Sequence, residues 1–310
     1  MSRSYRYLHY DVFTDRLFGG NQLAVFSDAR GLDDEAMQSI ANEMNFAETT
    51  FVLPSERPDT DARMRIFTPA HEMPMAGHPT IGSTFALARA GVITPGRERF
   101  VFGLNVGPIP VSLTWQQGEL AFAWMTQLAP TFGQPVGDVS GAAAMLGLRG
   151  DAIGRTGLPV QVVSCGVPCL LVPIATRREV DEAILDRAAY LTFMGALQPP
   201  ADCVFFFSVE PGADDRTAYS RMFAPILGIS EDPATGGASG PLGCYLVAHQ
   251  VVTAEKATAM VSLQGVKMGR PSHIHISIGV ERGAIANVRV GGKAVLAGEG
   301  LLYLTQNFKL

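Results

Sequence analysis

The length, composition and charge of the chain exclude several classes of protein. It has 310 residues, 47% hydrophobic and 17% charged, which is typical of a globular protein long enough for two domains. The formal net charge is -5 and the basic residues are scattered, so neither nucleic acid nor an anionic membrane is expected as a partner. The first residues alternate like a strand instead of a secretory leader, and no apolar run reaches the roughly 18 residues of a membrane span.

The cysteines give no disulfide framework. Four occur, namely Cys165, Cys169, Cys203 and Cys244, and a chain with this usage is expected in the reducing cytoplasm. Cys165 and Cys169 lack the second pair that zinc sites use, so we interpret them as buried apolar residues.

In chain order, the first half consists of strands with two helices between them. Apolar residues at helical spacing predict a helix from Leu32 to Met44, with acidic residues at its positive N-terminal end. A second helix is predicted from His78 to Gly91, because the first turn of a helix tolerates proline. Alternating or apolar runs rich in Val, Phe, Tyr and Thr predict strands near 5–13, 22–27, 48–54, 62–68, 98–103, 108–114 and 119–126.

A stretch rich in Pro and Gly near 127–137 predicts a linker, after which a similar order of elements begins again. The predicted elements are a short helix at 138–147, strands at 161–164 and 169–174, a helix at 177–185, strands at 203–209 and 218–225, a helix to about 250 and several late strands. We therefore predict two domains, 1–127 and 128–296, with a last strand, about 297–310, that returns to the first.

A short internal repeat relates the two halves. The segments 65–69 (RIFTP) and 221–225 (RMFAP) share the pattern Arg-x-Phe-x-Pro. Each is followed by an acidic loop, with Glu72 in one half and Glu231 and Asp232 in the other, and then by a glycine that opens a helix. Five matching residues carry little weight alone, but the shared context favours a true repeat. Two such helix N-termini predict two places where backbone N–H groups and the helix dipole favour an anion.

Three segments place ionisable residues inside otherwise apolar sequence. Glu48 lies between an apolar helix and an apolar strand, where desolvation would raise its pKa toward the range of a general acid/base; an exposed glutamate is the commoner explanation. His78 is expected to be neutral, because the dipole at a helix start disfavours its protonated form, and a helix cap explains it too. Asp232, before Pro233, fits a turn as well as a functional role.

Together these segments resemble the PhzF family, the phenazine-biosynthesis isomerases and their relatives, whose fold is shared with diaminopimelate epimerase. The likeness runs through the whole chain, over the segments 11–13, 20–25, 48–52, 65–69, 72–74, 76–80, 163–164, 166–168 and 231–236.

The resemblance implies an α+β fold of two pseudo-symmetric domains, each a β-barrel around a central helix, with the active site in the cleft between them. It implies a cofactor-independent isomerase, without metal, pyridoxal or nicotinamide, that moves a proton on a small cyclic or linear carboxylate such as trans-2,3-dihydro-3-hydroxyanthranilate. Glu48 would be the general acid/base, with His78 and Asp232 orienting or polarising the substrate. A homodimer is also implied. The implied substrate-binding residues are Asn21, Gly77, Pro79, Thr80, Thr235, Gly236 and Gly237.

Three positions depart from the usual family pattern. Gln22 stands in place of proline, and Ala47 and Gly237 in place of serines. The serine that Gly237 replaces faces the substrate in the phenazine enzyme, and loss of one such hydrogen bond typically changes discrimination by about 1 to 3 kcal/mol. The phenazine precursor and a different small carboxylate therefore both remain open as the substrate.

Two other functions remain open. A racemase or epimerase of this fold would use paired cysteines from opposite faces, but His78 and Gly237 occupy the expected thiol positions. A binding protein that kept the cleft and lost turnover is the other, although the retained Glu48, His78 and Asp232 count against it. Entry of solvent deuterium into amino or hydroxy acids would distinguish an isomerase or racemase from a binding protein.

Overall fold

The computed structural model describes residues 3–304, which form two compact units. The first contains the residues up to Thr126 and those from Gly291 onward, and the second runs from Gln127 to Val290. Residues 305–310 of the predicted last strand lie outside the described residues. Within 3–304, no helix is both long enough and apolar enough to cross a membrane.

Strands and two long helices alternate through the first 126 residues. In chain order the elements are β1 (Arg3–Val12), β2 (Asn21–Phe26), α1 (Asp34–Met44), β3 (Glu48–Pro54), β4 (Ala62–Phe67), β5 (Glu72–Met73), α2 (Gly77–Arg89), β6 (Arg99–Leu104), β7 (Gly107–Gln116) and β8 (Glu119–Thr126).

The remainder of the described chain contains more short helices. In chain order the elements are β9 (Thr131–Pro135), α3 (Val139–Ala144), α4 (Asp151–Gly154), β10 (Gln161–Ser164), β11 (Pro168–Pro173), α5 (Arg177–Glu182), α6 (Arg187–Ala196), β12 (Cys203–Ser208), β13 (Ala218–Phe223), α7 (Gly236–Ala248), β14 (Met260–Gln264), β15 (Ser272–Glu281), β16 (Ala284–Gly292) and β17 (Ala294–Leu304).

In the first unit, a sheet wraps around α2. The strands β17, β1, β2, β3, β4, β6, β7 and β8 pair in that order, with parallel pairs β2–β3 and β4–β6 and antiparallel pairs otherwise. Helix α2 contacts β1, β2, β3, β8 and β17, and its residues from Gly77 to Leu87 are all buried. The close approach of α2 to β2 requires glycine at position 82, because a Cβ there would lie 2.5 Å from Leu23 Cδ2. A helix without a solvent-exposed face from Gly77 to Leu87 is therefore the centre of this unit.

The second unit has the same plan around α7. The strands β9 to β15 pair successively, with parallel pairs β11–β12 and β13–β14 and antiparallel pairs otherwise. Residues of α7 from Gly236 to Leu246 are buried, and the helix contacts β10, β11 and β15. Strand β12 is buried throughout because its two faces belong to two cores: Phe205 and Phe207 pack toward α7, and Val204 and Phe206 toward the outer helices.

The two units repeat one order of pairing. In each, a helical crossover joins two parallel strands (β2 and β3, or β11 and β12), an antiparallel strand follows (β4 or β13), and the central helix leads to a strand parallel to it (β6 or β14). The Arg-x-Phe-x-Pro segments begin in β4 and β13, at equivalent positions of this order. The predicted α+β fold of two pseudo-symmetric halves with central helices is confirmed.

Three predictions about the second half need correction. The predicted linker at 127–137 contains β9, whose lack of apolar alternation hid a strand that pairs with β10. The predicted helix at 138–147 ends at Ala144, since Gly147, with φ +66, cannot continue it. Helix α6 was missed; Asp186 caps it by accepting hydrogen bonds from the amides of Ala188 and Ala189.

Candidate active site

Three of the predicted site residues converge in the first unit. Asn21 is the first residue of β2, Glu48 the first residue of β3, and His78 the second residue of α2. The strands β2 and β3 are parallel neighbours that both contact α2, so their first residues lie at one edge beside the helix start. His78 Nδ1 lies 3.1 Å from Glu48 Oε2 and 3.2 Å from Asn21 Nδ2. These three residues are called the Asn21–Glu48–His78 cluster below.

The cluster is deeply buried. Glu48 is 7% exposed and His78 is 3% exposed. Burial lowers the pKa of His78 to about 3, against a smaller opposing effect of the Gln22 backbone. The imidazole is therefore neutral near pH 7, and its contact with Glu48 is a hydrogen bond and not an ion pair. A neutral His78 was also predicted from the sequence. The predicted cause was the helix dipole, whereas the main cause in the structure is desolvation.

Glu48 and Asn21 both act on the tautomer of His78. A neutral imidazole has one N–H and one lone pair. An ionised Glu48 favours the proton on Nδ1, whereas a protonated Glu48 and the Asn21 side-chain nitrogen, which can only donate, favour a lone pair on Nδ1 and the proton on Nε2. His78 Nε2 is buried and makes no hydrogen bond to any described residue. It can therefore accept a hydrogen bond from a ligand in one state and donate one in the other.

The start of α2 carries no side-chain cap. Its N-cap residue, Ala76, has extended backbone geometry with φ -152 and makes no capping hydrogen bond. The amides of Gly77 and His78 thus open the helix, while Pro79 has no N–H to offer. The Thr80 hydroxyl donates to the Ala76 carbonyl at 2.8 Å, so that group is engaged within the helix.

A second group of predicted residues meets in the second unit. The Thr235 hydroxyl donates to Asp232 Oδ2 at 2.5 Å. Gln264, in β14, fixes this segment: its Nε2 donates to the Asp232 carbonyl at 2.7 Å and to Thr235 Oγ1 at 2.9 Å. Its Oε1 accepts from the Thr235 amide at 2.9 Å. Asp232 is 4% exposed and Gln264 is fully buried. No sequence motif predicted Gln264, which is the last residue of β14.

Glycines shape the start of α7. Thr235, its N-cap residue, makes no side-chain cap, and Gly236 and Gly237 open the helix. Gln127 Nε2 donates to the Gly236 carbonyl at 2.9 Å, which places Gln127, also missed, beside this turn. A Cβ at Gly240 would lie 1.8 Å from Gln127 Oε1, so packing requires that glycine. A Cβ at Gly237 would meet nothing nearer than Val167 Cγ2 at 3.8 Å, so packing does not require that one.

The predicted site residues therefore fall into two groups. Asn21, Glu48 and His78 meet in the first unit, with the start of α2, and Asp232 and Thr235 meet in the second, with the start of α7. Their use in one cleft stays a prediction. All four cysteines are buried and unpaired by disulfides, as expected of structural residues. Among residues 3–304, no cluster of His, Cys, Asp or Glu could hold a metal ion.

Comparison with known proteins identifies the family. Residues 10–300 match the model of the phenazine biosynthesis-like protein family. The chain belongs to this family. A trans-2,3-dihydro-3-hydroxyanthranilate isomerase of Pseudomonas aeruginosa is 35% identical over 303 residues, 97% of this chain and 100% of that one. An uncharacterized isomerase of Mesorhizobium japonicum is 36% identical over 300 residues, 96% of this chain and 98% of that one.

Solved structures of the same family resemble this fold. A crystal structure of a PhzF family phenazine biosynthesis protein from Bacillus anthracis superimposes with a TM-score of 0.84 at 28% identity, covering 97% of this chain and 99% of that one. Relatives within the phenazine biosynthesis-like family are named isomerases. The predicted enzyme class is thereby confirmed, and the chain is an isomerase.

Proposed function

We propose that this isomerase works without a cofactor and moves a proton on a small carboxylate-bearing substrate, with Glu48 as the general acid/base. The observation that carries the proposal is the contact of 3.1 Å between the buried Glu48 carboxyl group and a neutral His78. A proton removed from one carbon and returned to another on the same face needs one group that can accept and then donate. Glu48 meets that need.

The neighbours of Glu48 suit both of its protonation states. As a carboxylate it accepts a hydrogen bond from His78 Nδ1 when that nitrogen carries the imidazole proton, and after taking the proton it can donate one to the lone pair of the same nitrogen, as Asn21 Nδ2 also does. The amides that open α2 supply donors for a substrate carboxylate, and so do the amides that open α7. Asp232, held by Thr235, is an acceptor suited to an amino or hydroxyl group. We therefore assign to His78 and Asp232 the orientation of the substrate.

The proposed substrate class is a small cyclic or linear carboxylate that carries an amino or hydroxyl group. The Pseudomonas aeruginosa relative is named for trans-2,3-dihydro-3-hydroxyanthranilate, a compound of this class. We also propose that the protein works in the cytoplasm as a homodimer; light scattering behind size-exclusion chromatography should give twice the 33.1 kDa chain mass.

Solvent-deuterium exchange tests the proposed function. The protein is incubated in D2O with trans-2,3-dihydro-3-hydroxyanthranilate and with a panel of amino and hydroxy acids, and NMR follows each C–H position. An isomerase should form a product with its double bonds rearranged and with deuterium at the carbon that receives the proton. Inversion at a single labelled carbon would indicate a racemase instead. Binding of the panel, seen by thermal shift, without any exchange would contradict catalysis and favour a binding protein.

A further inference from the structure

Arg221 connects three parts of the second unit. Its Nε and Nη2 donate to the two carboxylate oxygens of Glu231 at 2.8 and 2.9 Å. Its Nη1 donates to the carbonyls of Val180 and Ala183, both at 2.9 Å, at the C-terminal end of α5. The guanidinium is 5.0 Å above the ring of Phe223, and the residue is only 6% exposed. The donors of this arginine are thus committed to α5 and to one glutamate.

Glu231 directly precedes Asp232. The Asp232 amide donates to the carbonyl of Met222 in β13 at 3.1 Å, next to Arg221 in that strand. The segment before Glu231 turns through Ile226, whose side chain is 54% exposed. The Arg221–Glu231 pair therefore joins the end of this exposed turn to β13. It does so at Glu231, the residue directly before Asp232.

The first unit contains an equivalent arginine–glutamate pair. Arg65 Nε and Nη2 donate to the two oxygens of Glu72 at 2.8 and 2.6 Å, and its Nη1 donates to Asp34 in the first turn of α1. The Arg65 guanidinium holds the pKa of Glu72 below its usual value. Glu72 precedes the short segment that leads to the start of α2 and His78. In both units, one arginine links the preceding crossover helix to the glutamate ahead of the central helix.

Stability alone does not explain such pairs. Taking both charges out of water offsets much of their attraction, and well-packed apolar residues of similar size often stabilise as much. What the pairs supply is fixed geometry, because the planar guanidinium holds both oxygens of a carboxylate at once. Each pair is placed where the backbone delivers a proposed site residue.

We propose that Arg221 is a positioning residue, which through Glu231 fixes Asp232 and the first turn of α7, and that Arg65 with Glu72 does the same for His78. The catalytic part of this inference rests on the proposed function, whereas the positioning part does not. Neither arginine is assigned contact with the substrate.

The test replaces the pair in two ways. Arg221→Lys keeps the charge but cannot hold both oxygens of Glu231 at once, and the double variant Arg221→Met with Glu231→Leu replaces the pair by apolar residues of similar size. Arg177→Lys is the matched control, because Arg177 makes an equivalent two-point contact with Asp214, at 2.7 and 2.9 Å, in the same unit. Melting temperature, hydrogen-deuterium exchange of peptides covering 229–240, and kcat and KM on trans-2,3-dihydro-3-hydroxyanthranilate are measured for each.

We expect the double variant to remain folded with a lower melting temperature, because the buried carbonyls of Val180 and Ala183 lose their donor. Amide exchange should accelerate by about tenfold or more in 229–240 and not in peptides of β15, a local change that a purely stabilising pair would not produce. Its kcat should fall by about 100-fold with a smaller change in KM, as for a misplaced site residue. Arg177→Lys should leave amide exchange in 229–240 and kcat unchanged. Unaltered exchange in 229–240 in both Arg221 variants would overturn the proposal, as would faster exchange with wild-type kcat. If the wild type turns over no probe, the proposed function fails and amide exchange alone decides positioning.

Discussion

Gly237 is a buried helix position at which a side chain fits. A Cβ there would meet Val167 Cγ2 at 3.8 Å and Val167 Cβ at 4.0 Å, both ordinary van der Waals contacts. Gly243 of the same helix is different, because a Cβ would lie 2.4 Å from Ile276 Cγ2 and 3.0 Å from Ile278 Cγ1. We therefore predict that Gly237 tolerates replacement and Gly243 does not.

The expected magnitudes follow from these distances. Gly237→Ala should raise the free energy of unfolding by about 0.5 to 1 kcal/mol, which is what glycine costs relative to alanine within a helix. Gly243→Ala should lower it by about 1 to 3 kcal/mol, the usual cost of overpacking a core. Urea denaturation followed by circular dichroism measures both. Equal destabilisation by the two variants would refute the reasoning about space at Gly237.

The serine variant extends this prediction to activity. Gly237→Ser adds a hydroxyl beside the amides that open α7. One additional hydrogen bond to the substrate, about 1 to 3 kcal/mol, should raise kcat/KM for trans-2,3-dihydro-3-hydroxyanthranilate by about 5- to 150-fold. Gly237→Ala is the control, since it fills the same space without a hydroxyl. Equal kcat/KM values for the two variants would show that the hydroxyl does not reach the substrate.

Three further predictions concern buried polar groups. Because the pKa of His78 is about 3 when folded and near 6.5 when unfolded, acidification below 6.5 should cost stability, and His78→Gln should flatten that pH dependence in urea titrations. Gln264→Leu, which removes a buried residue with three hydrogen bonds, should cost about 1 to 3 kcal/mol on urea denaturation. A hydrogen bond to a neighbouring thiol, together with burial, raises the pKa of Cys165 and Cys169, so iodoacetamide should label them only after unfolding, as mass spectrometry would show.

Regular periodicity made most of the first half predictable. The helix predicted from Leu32 to Met44 is α1, because Asp33 caps it and four apolar residues at helical spacing are buried against the sheet. The helix predicted from His78 is α2, which begins one residue earlier. The internal repeat around Arg65 and Arg221 also predicted the equivalent strands before the two central helices.

The sequence was less informative where long-range contacts decide the structure. Strand β9 is defined by its pairing with β10 and not by its own residues. Gln264 and Gln127 reach the α7 segment from distant positions, and no local pattern marks either as a partner of Asp232 or Gly236. The contact between Glu48 and His78 depends on β3 and α2 beginning at one edge of the unit, which only the fold supplies.

The central claim is that Glu48 carries the proton, and Glu48→Gln tests it most directly. The variant keeps the shape of the side chain but removes its acid/base function, and Glu43→Gln, at an exposed position of α1, is the matched control. We predict that Glu48→Gln abolishes solvent-deuterium exchange into the substrate while calorimetry finds nearly wild-type ligand affinity, and that Glu43→Gln changes neither. Wild-type exchange and turnover by Glu48→Gln would contradict the claim.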